Sequence, residues 1–295
     1  MSTVASTVRE WWPDDRRDAE TRLEALVRGN RFTISVVFPL IGIVLLLASA
    51  TVPAVPDWLA FNGTLVLLGT LVMRSPLIAA VAPVADRRAL AGVGLLTLYA
   101  YGIEYVGVHT GWPYGAFEYG VALGPMAAGV PLGLPVFFLP LVANAYLLCL
   151  LLLGDRAEHA ATRLGAVVAL VLLMDVVLDP GAVALGFWSY DDVARGGALA
   201  ALSGGGFYGV PLSNFGGWIL SATVAVATFD AAFDRAALRR RLADCEFALD
   251  DMVSFVILWG GVNAAFGNAV PALVAALIGY WLVRANRFDA SLLRP

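Results

Sequence analysis

The sequence predicts an all-α protein, a polytopic transmembrane helix bundle of about eight spans. Three observations predict it. The 295 residues are 60% hydrophobic and only 14% charged. The apolar residues fall in long runs of membrane-crossing length, with most charges in the segments between them. The chain also carries 30 Gly, and small residues let helices approach closely in lipid. The expected organisation is a polar cytoplasmic N-terminal tail (1–31), a transmembrane domain (32–285) and a cytoplasmic C-terminal tail (286–295).

Within 1–31, Leu23, Leu26 and Val27 are spaced for one helix face, while Trp11 and Trp12 suit a membrane interface. The segment reads as a solvated tail resting on the headgroups. It lacks the apolar core of a cleavable signal peptide. Apolar spans follow at 32–52, 58–73, 89–108, 131–153, 164–185, 207–229, 251–267 and 269–284. A run from Pro76 to Val84 is too short to cross alone and reads as interfacial or re-entrant. Every basic residue other than His is Arg. Arg9, Arg16, Arg17, Arg22, Arg28 and Arg31 precede the first span. Arg74, Arg87 and Arg88 lie between the second and third, and Arg156 and Arg163 between the fourth and fifth. Arg235, Arg239, Arg240 and Arg241 lie between the sixth and seventh, and Arg284, Arg287 and Arg294 follow the eighth. The intervening loops hold only Arg195. The positive-inside rule then puts both termini in the cytoplasm. Between spans six and seven, 230–250 reads as a surface amphipathic helix with Phe233, Leu238 and Leu242 on its apolar side. Cys149 and Cys245 fall near the cytoplasmic side, where thiols stay reduced.

The stretch from Glu104 to Pro131 organises the chain. An apolar helix carries Glu104 near its end and breaks into a loop rich in Gly, Pro and aromatics. The pattern recurs downstream, where a helix carrying Asp175 and Asp179 leads into DPGAVALGFWSY and then FYGVPLSNFGGW. Gly-Val-Pro-Leu occurs at 129–132 and again at 209–212, each time at the threshold of a helix, where proline is favoured. Two pseudo-repeated helix–loop–helix hairpins are expected, with both aromatic loops and all three acids in the non-cytoplasmic half of the bundle.

A mid-membrane carboxylate costs about 2.5–3.5 kcal/mol on insertion scales and reads as functional by default. Asp175 and Asp179, four apart, share a helix face. Their structural alternative is capping of the backbone broken before Pro180. Glu118 lies deeper in the loop, where a solvent-facing role is the alternative. His109 stands at a helix end, and His159 lies in a cytoplasmic loop, so no metal site is expected. Trp112, Tyr114, Phe117, Tyr119, Trp188, Tyr190, Phe207, Tyr208 and Trp218 cluster around the acids, beyond what an ordinary aromatic belt requires. Asn214, beside Pro211, is placed to hold a polar group or a water. Walker and Rossmann signatures are absent, so nucleotide and redox cofactors are not expected, nor is a nucleic-acid partner.

These motifs resemble a known family. Thr110-Gly111-Trp112-Pro113-Tyr114-Gly115, Glu118-Tyr119, Leu123-Gly124-Pro125 and Gly129-Val130-Pro131 look like its first signature. Asp175, Asp179-Pro180, Gly186-Phe187-Trp188, Tyr208-Gly209-Val210-Pro211 and Asn214-Phe215-Gly216-Gly217-Trp218 look like its second. The family is the integral-membrane carotenoid hydratases, and the likeness covers most of residues 35–285. The all-Arg, acidic composition, with a net charge of −4, favours the haloarchaeal branch that acts on fifty-carbon bisanhydrobacterioruberin.

The resemblance implies addition of water across a terminal trisubstituted double bond, leaving a tertiary alcohol. A carboxyl group desolvated among apolar helices keeps its proton at neutral pH and can donate it. Aromatic faces stabilise the resulting cation, and a second carboxylate orients a water and takes its proton. Glu104 with Asp179 or Asp175 is the expected pair, with Glu118 as a further candidate. Trp112, Tyr114, Tyr119, Trp188, Tyr208, Asn214 and Trp218 are expected around the substrate. No cofactor is required. The expected partners are a long acyclic carotenoid, water, membrane lipid and other carotenoid biosynthetic enzymes. A carotene end cyclase, a transporter and a carotenoid-binding scaffold are the competing readings.

Overall fold

In the computed structural model, which describes residues 13–191, 193–194, 196–203 and 205–287, the chain folds mainly as helices. They are α1 (Arg16–Gly29), α2 (Phe38–Thr51, entered through a π-helical turn at Thr33–Val37), α3 (Gly63–Val81), α4 (Arg87–Thr110), α5 (Leu134–Leu153), α6 (Ala160–Leu185), α7 (Leu212–Ala232), α8 (Arg235–Asp244), α9 (Asp250–Ala265) and α10 (Ala269–Arg284). Among the described residues the short strands are β1 (Phe117–Tyr119), β2 (Met126–Ala127), β3 (Val130–Pro131) and β4 (Trp188–Tyr190). This is the all-α bundle that composition predicts. Among the described residues six helices, α2 to α7, are long and apolar enough to cross a membrane. α9 and α10, at 16 residues each, reach only about 24 Å at 1.5 Å per residue. They pack on each other and on α6.

Helix starts follow ordinary capping chemistry. Asp15, Asn62, Asp86 and Asp234 each accept a bond from a backbone N–H of the first turn, satisfying a donor that has no intrahelical partner. Three helices continue through an internal proline: Pro76 in α3, Pro140 in α5 and Pro180 in α6. Each lacks an N–H and so frees the carbonyl four residues earlier. In α3 the Ser75 hydroxyl donates to Val72 O at 2.6 Å. In α5 the Arg74 Nε donates to Val136 O at 3.2 Å.

Those two bonds explain two corrections. The run 76–84 is neither separate nor re-entrant: it is the end of α3 plus a 3-10 turn at Ala82–Val84. Arg74 therefore lies inside a span rather than in a loop, and it pairs with Asp251. Asp251 and its neighbour Asp250 are fully buried acids at the Arg-rich end, so the protein buries carboxylates there as well as beside the hairpin loops. A third correction concerns the polar tail. Its described part, 13–31, docks on protein: Val27 of α1 is buried, Arg16 donates to Ala82 O and Ala85 O at 2.8 and 2.6 Å, and Arg31 beyond the helix pairs with Asp250 at 2.7 Å. Trp11, Trp12 and Arg195 lie outside the described residues. The amphipathic segment 230–250 does contain a helix, α8, with Leu238 and Leu242 buried.

Candidate active site

The helices bearing the acids both end on glycine. Gly111 closes α4 at φ 73° and Gly186 closes α6 at φ 78°, the left-handed geometry that ends a helix and that glycine adopts without a Cβ penalty. Beyond these caps the two aromatic loops pair with one another. β1 and β4 run antiparallel, with Phe117 opposite Tyr190, Glu118 opposite Ser189 and Tyr119 opposite Trp188. Strand side chains alternate between faces. Phe117, Tyr119, Trp188 and Tyr190 therefore line the interior, while Glu118 and Ser189 are exposed. A Cβ at Gly120 would strike the Gly186 carbonyl, so this crossing needs glycine.

The inward tyrosines reach the acids. Tyr119 donates its hydroxyl to Glu104 Oε1, and Tyr190 donates to Asp179 Oδ2 at 2.9 Å. Burial, reinforced by the facing carboxylates, pushes both phenols well above their ordinary range, so they act as donors. Asn214, in the first turn of α7, donates Nδ2 to Asp179 Oδ2 at 2.7 Å and to Asp175 Oδ2 at 2.9 Å. Its carbonyl oxygen takes part in neither bond. Asp175 is fully buried behind Asp179, and its Oδ1 has no hydrogen-bond partner among the described residues.

Glu104, Asp179 and Asn214 open onto one cavity of about 450 Å³, otherwise walled mainly by apolar side chains of α2, α3, α5 and α9. Trp218 stacks on Phe138 at 5.6 Å between centroids. Tyr114 is buried beside it, bonded to the Ser221 hydroxyl at 2.8 Å. Of the residues expected around the substrate, Tyr114, Tyr119, Trp188, Asn214 and Trp218 line this space. Trp112 does not, being 58% exposed, and Glu118 points outward. Tyr208 lies in a separate space with Pro180 and Asn268. The Gly-Val-Pro-Leu repeats also differ: Pro211 is the residue before α7, whereas Pro131 is paired with Met126 three residues before α5.

Other residues emerge only from the structure. Asn263 donates to Val177 O at 2.7 Å, and Asn268 donates to Pro180 O at 3.3 Å, so α9 and its following turn hold the end of α6 that presents Asp179. At the Arg-rich end the cavity is closed by Arg74, Asn144 and Ser254, where Asn144 donates to Asp251 at 2.6 Å. A polar residue within an otherwise apolar run, such as Asn144 in α5 or Asn263 in α9, was the available signal. Among the described residues no group of three or more His, Cys, Asp or Glu side chains is arranged to hold a metal ion.

Residues 61–282 match the family model described as carotenoid biosynthesis protein. The chain is also 57% identical over 281 residues to a bisanhydrobacterioruberin hydratase of Haloarcula japonica, covering 95% of this chain and 92% of that protein. No solved structure matches. The match to the family model takes in both hairpins, the paired strands and every acid on the cavity, and on this ground the chain belongs to the carotenoid biosynthesis protein family.

Proposed function

We propose that this membrane protein is a cofactor-independent hydratase that adds water to the terminal double bonds of a long acyclic carotenoid, converting bisanhydrobacterioruberin to bacterioruberin. The observation that carries the reading is the meeting of two carboxyl groups from different hairpins, Glu104 and Asp179, on one largely apolar cavity. The relative named for this reaction supports the substrate.

In the first step one protonated carboxyl delivers its proton to the terminal alkene. The π electrons form the new C–H bond and leave a tertiary cation. Facing rings of Tyr119, Trp188 and Trp218 stabilise it, each by about 0.5–2 kcal/mol. In the second step a water oxygen forms the C–O bond, and its surplus proton passes to the other carboxylate. One water is consumed, and the proton count of the pair is restored. Asn214 favours hydration over cyclisation, because its carbonyl oxygen can accept a bond from the attacking water while its amide holds both aspartates. Asp175 acts through Asn214 and Asp179 as a positioning residue.

The Arg-rich end is assigned to the cytoplasm with both termini, which puts the acids in the non-cytoplasmic half. Fusion reporters after Arg241 and near Ala194 should report opposite sides. The chemistry is tested by expressing the chain with bisanhydrobacterioruberin. A mass gain of one water per end is expected, and recovery of unaltered substrate at normal protein level would refute the reading.

A further inference from the structure

The cavity is not sealed on every side. Ile41 and Leu45 of α2 and Leu65 and Leu68 of α3 line it, yet they are 50%, 39%, 45% and 54% exposed. Side chains that wall a cavity and also face outward mark an opening. α2 packs chiefly on α9 and touches α3 only lightly, which leaves a fissure between two consecutive helices. Both are apolar helices of membrane-crossing length, so the fissure opens towards lipid. Halfway along it α3 carries Gly69, where an added Cβ would meet nothing within 4 Å.

Size makes the opening necessary. At about 450 Å³ the cavity sits in the lower part of the range of about 300–1,000 Å³ that encloses a drug-sized ligand. An acyclic carotenoid of forty or more carbons is far larger. With its terminal double bond beside Glu104 and Asp179, most of the chain must leave the cavity. The Arg-rich end is blocked by Arg74, paired with buried Asp251. An exit past the hairpin loops would carry apolar surface into water at about 25 cal/mol per Å². The fissure has neither obstacle.

We infer that the conjugated chain of the substrate lies in the α2–α3 fissure, with its reacting end between the acids and its remainder in the bilayer. This rests on the hydratase reading above. The occupant is the polyene rather than a membrane acyl chain, because the fissure is continuous with the acid-bearing cavity.

Two measurements test it in protein reconstituted into lipid vesicles. The first compares the full-length carotenoid with a short isoprenoid that carries the same terminal double bond and fits inside the cavity. Gly69→Phe places a ring in open space within the fissure, and Gly94→Phe makes the same change on the exposed face of α4, away from the cavity. Gly69→Phe should slow hydration of the long substrate by about tenfold or more, as displaced substrates do, and spare the short one. Gly94→Phe should spare both. Unchanged turnover of the long substrate, or equal loss on both substrates, would overturn the inference. The second measurement does not depend on turnover. A benzophenone side chain replacing Leu45 or Leu68 should capture the polyene on illumination, whereas one replacing Leu98, 70% exposed on α4, should capture only lipid. Capture of lipid alone at positions 45 and 68 would refute the fissure as the polyene site. Capture of polyene there without hydration by the unaltered protein would instead refute the hydratase reading and leave the fissure standing.

Discussion

Replacing Asp179 with Asn tests the proton-transfer scheme most directly. Asp179 Oδ2 accepts from Tyr190 at 2.9 Å and from Asn214 at 2.7 Å. An Asn carbonyl oxygen has two lone pairs and can accept both bonds, so the site should keep its shape. The cost to folding should be about 1 kcal/mol, the scale of one altered hydrogen bond. What the variant loses is the ability to give or take a proton. General acid–base help is worth about 10²–10⁴ in rate, or about 2.7–5.4 kcal/mol of barrier at 1.36 kcal/mol per tenfold. The rate loss should therefore be far larger than any stability loss. Glu104→Gln should behave alike, since its remaining carbonyl can still accept from Tyr119. The double variant should be little worse than either single one, because groups acting as a unit are strongly non-additive. The assay is hydration at equal protein level, read as product mass, with carotenoid binding followed by polyene absorbance. Binding should persist while unhydrated precursor accumulates. Full hydration by both single variants would refute the pair.

Tyr190→Phe and Tyr119→Phe each remove one donor from an acid while keeping the ring, and should slow hydration by about fivefold to tenfold, the equivalent of about 1 kcal/mol. Glu118→Gln and Trp112→Leu should leave turnover nearly unchanged, because both side chains are exposed, whereas Trp188→Leu should lower it through loss of a ring facing the cavity. Arg74→Leu should lower thermal stability by about 3–5 kcal/mol, since it leaves buried Asp251 without its cation. Adding Asp251→Leu should recover part of that loss, and a double variant less stable than Arg74→Leu would count against the ion pair as its cause.

The candidate site was only partly legible in the chain. Glu104, Asp175 and Asp179 stand out because ionisable groups in apolar runs are costly, and Asn214 because it is polar at the head of another run. Glu118 and Trp112 belong to the same motif yet point away. Period-two alternation in β1 decides the fate of Glu118, and no local pattern announces a three-residue strand whose partner, β4, lies some seventy residues on. Arg74 was misplaced for a related reason. An Arg followed by Ser and Pro reads as a loop, and only the contact with α5 shows that its guanidinium satisfies the carbonyl freed by Pro140.

The membrane character, the helices and their approximate order follow from the sequence alone, because burial of long apolar runs in lipid is a local property of composition and length. The pairing of the two hairpins, the division of the acids between Asp179 on the cavity and Asp175 behind it, and the fissure beside Gly69 are decided by tertiary structure. Each depends on which faces of distant helices meet, and that is set by packing between segments rather than by any pattern within one of them.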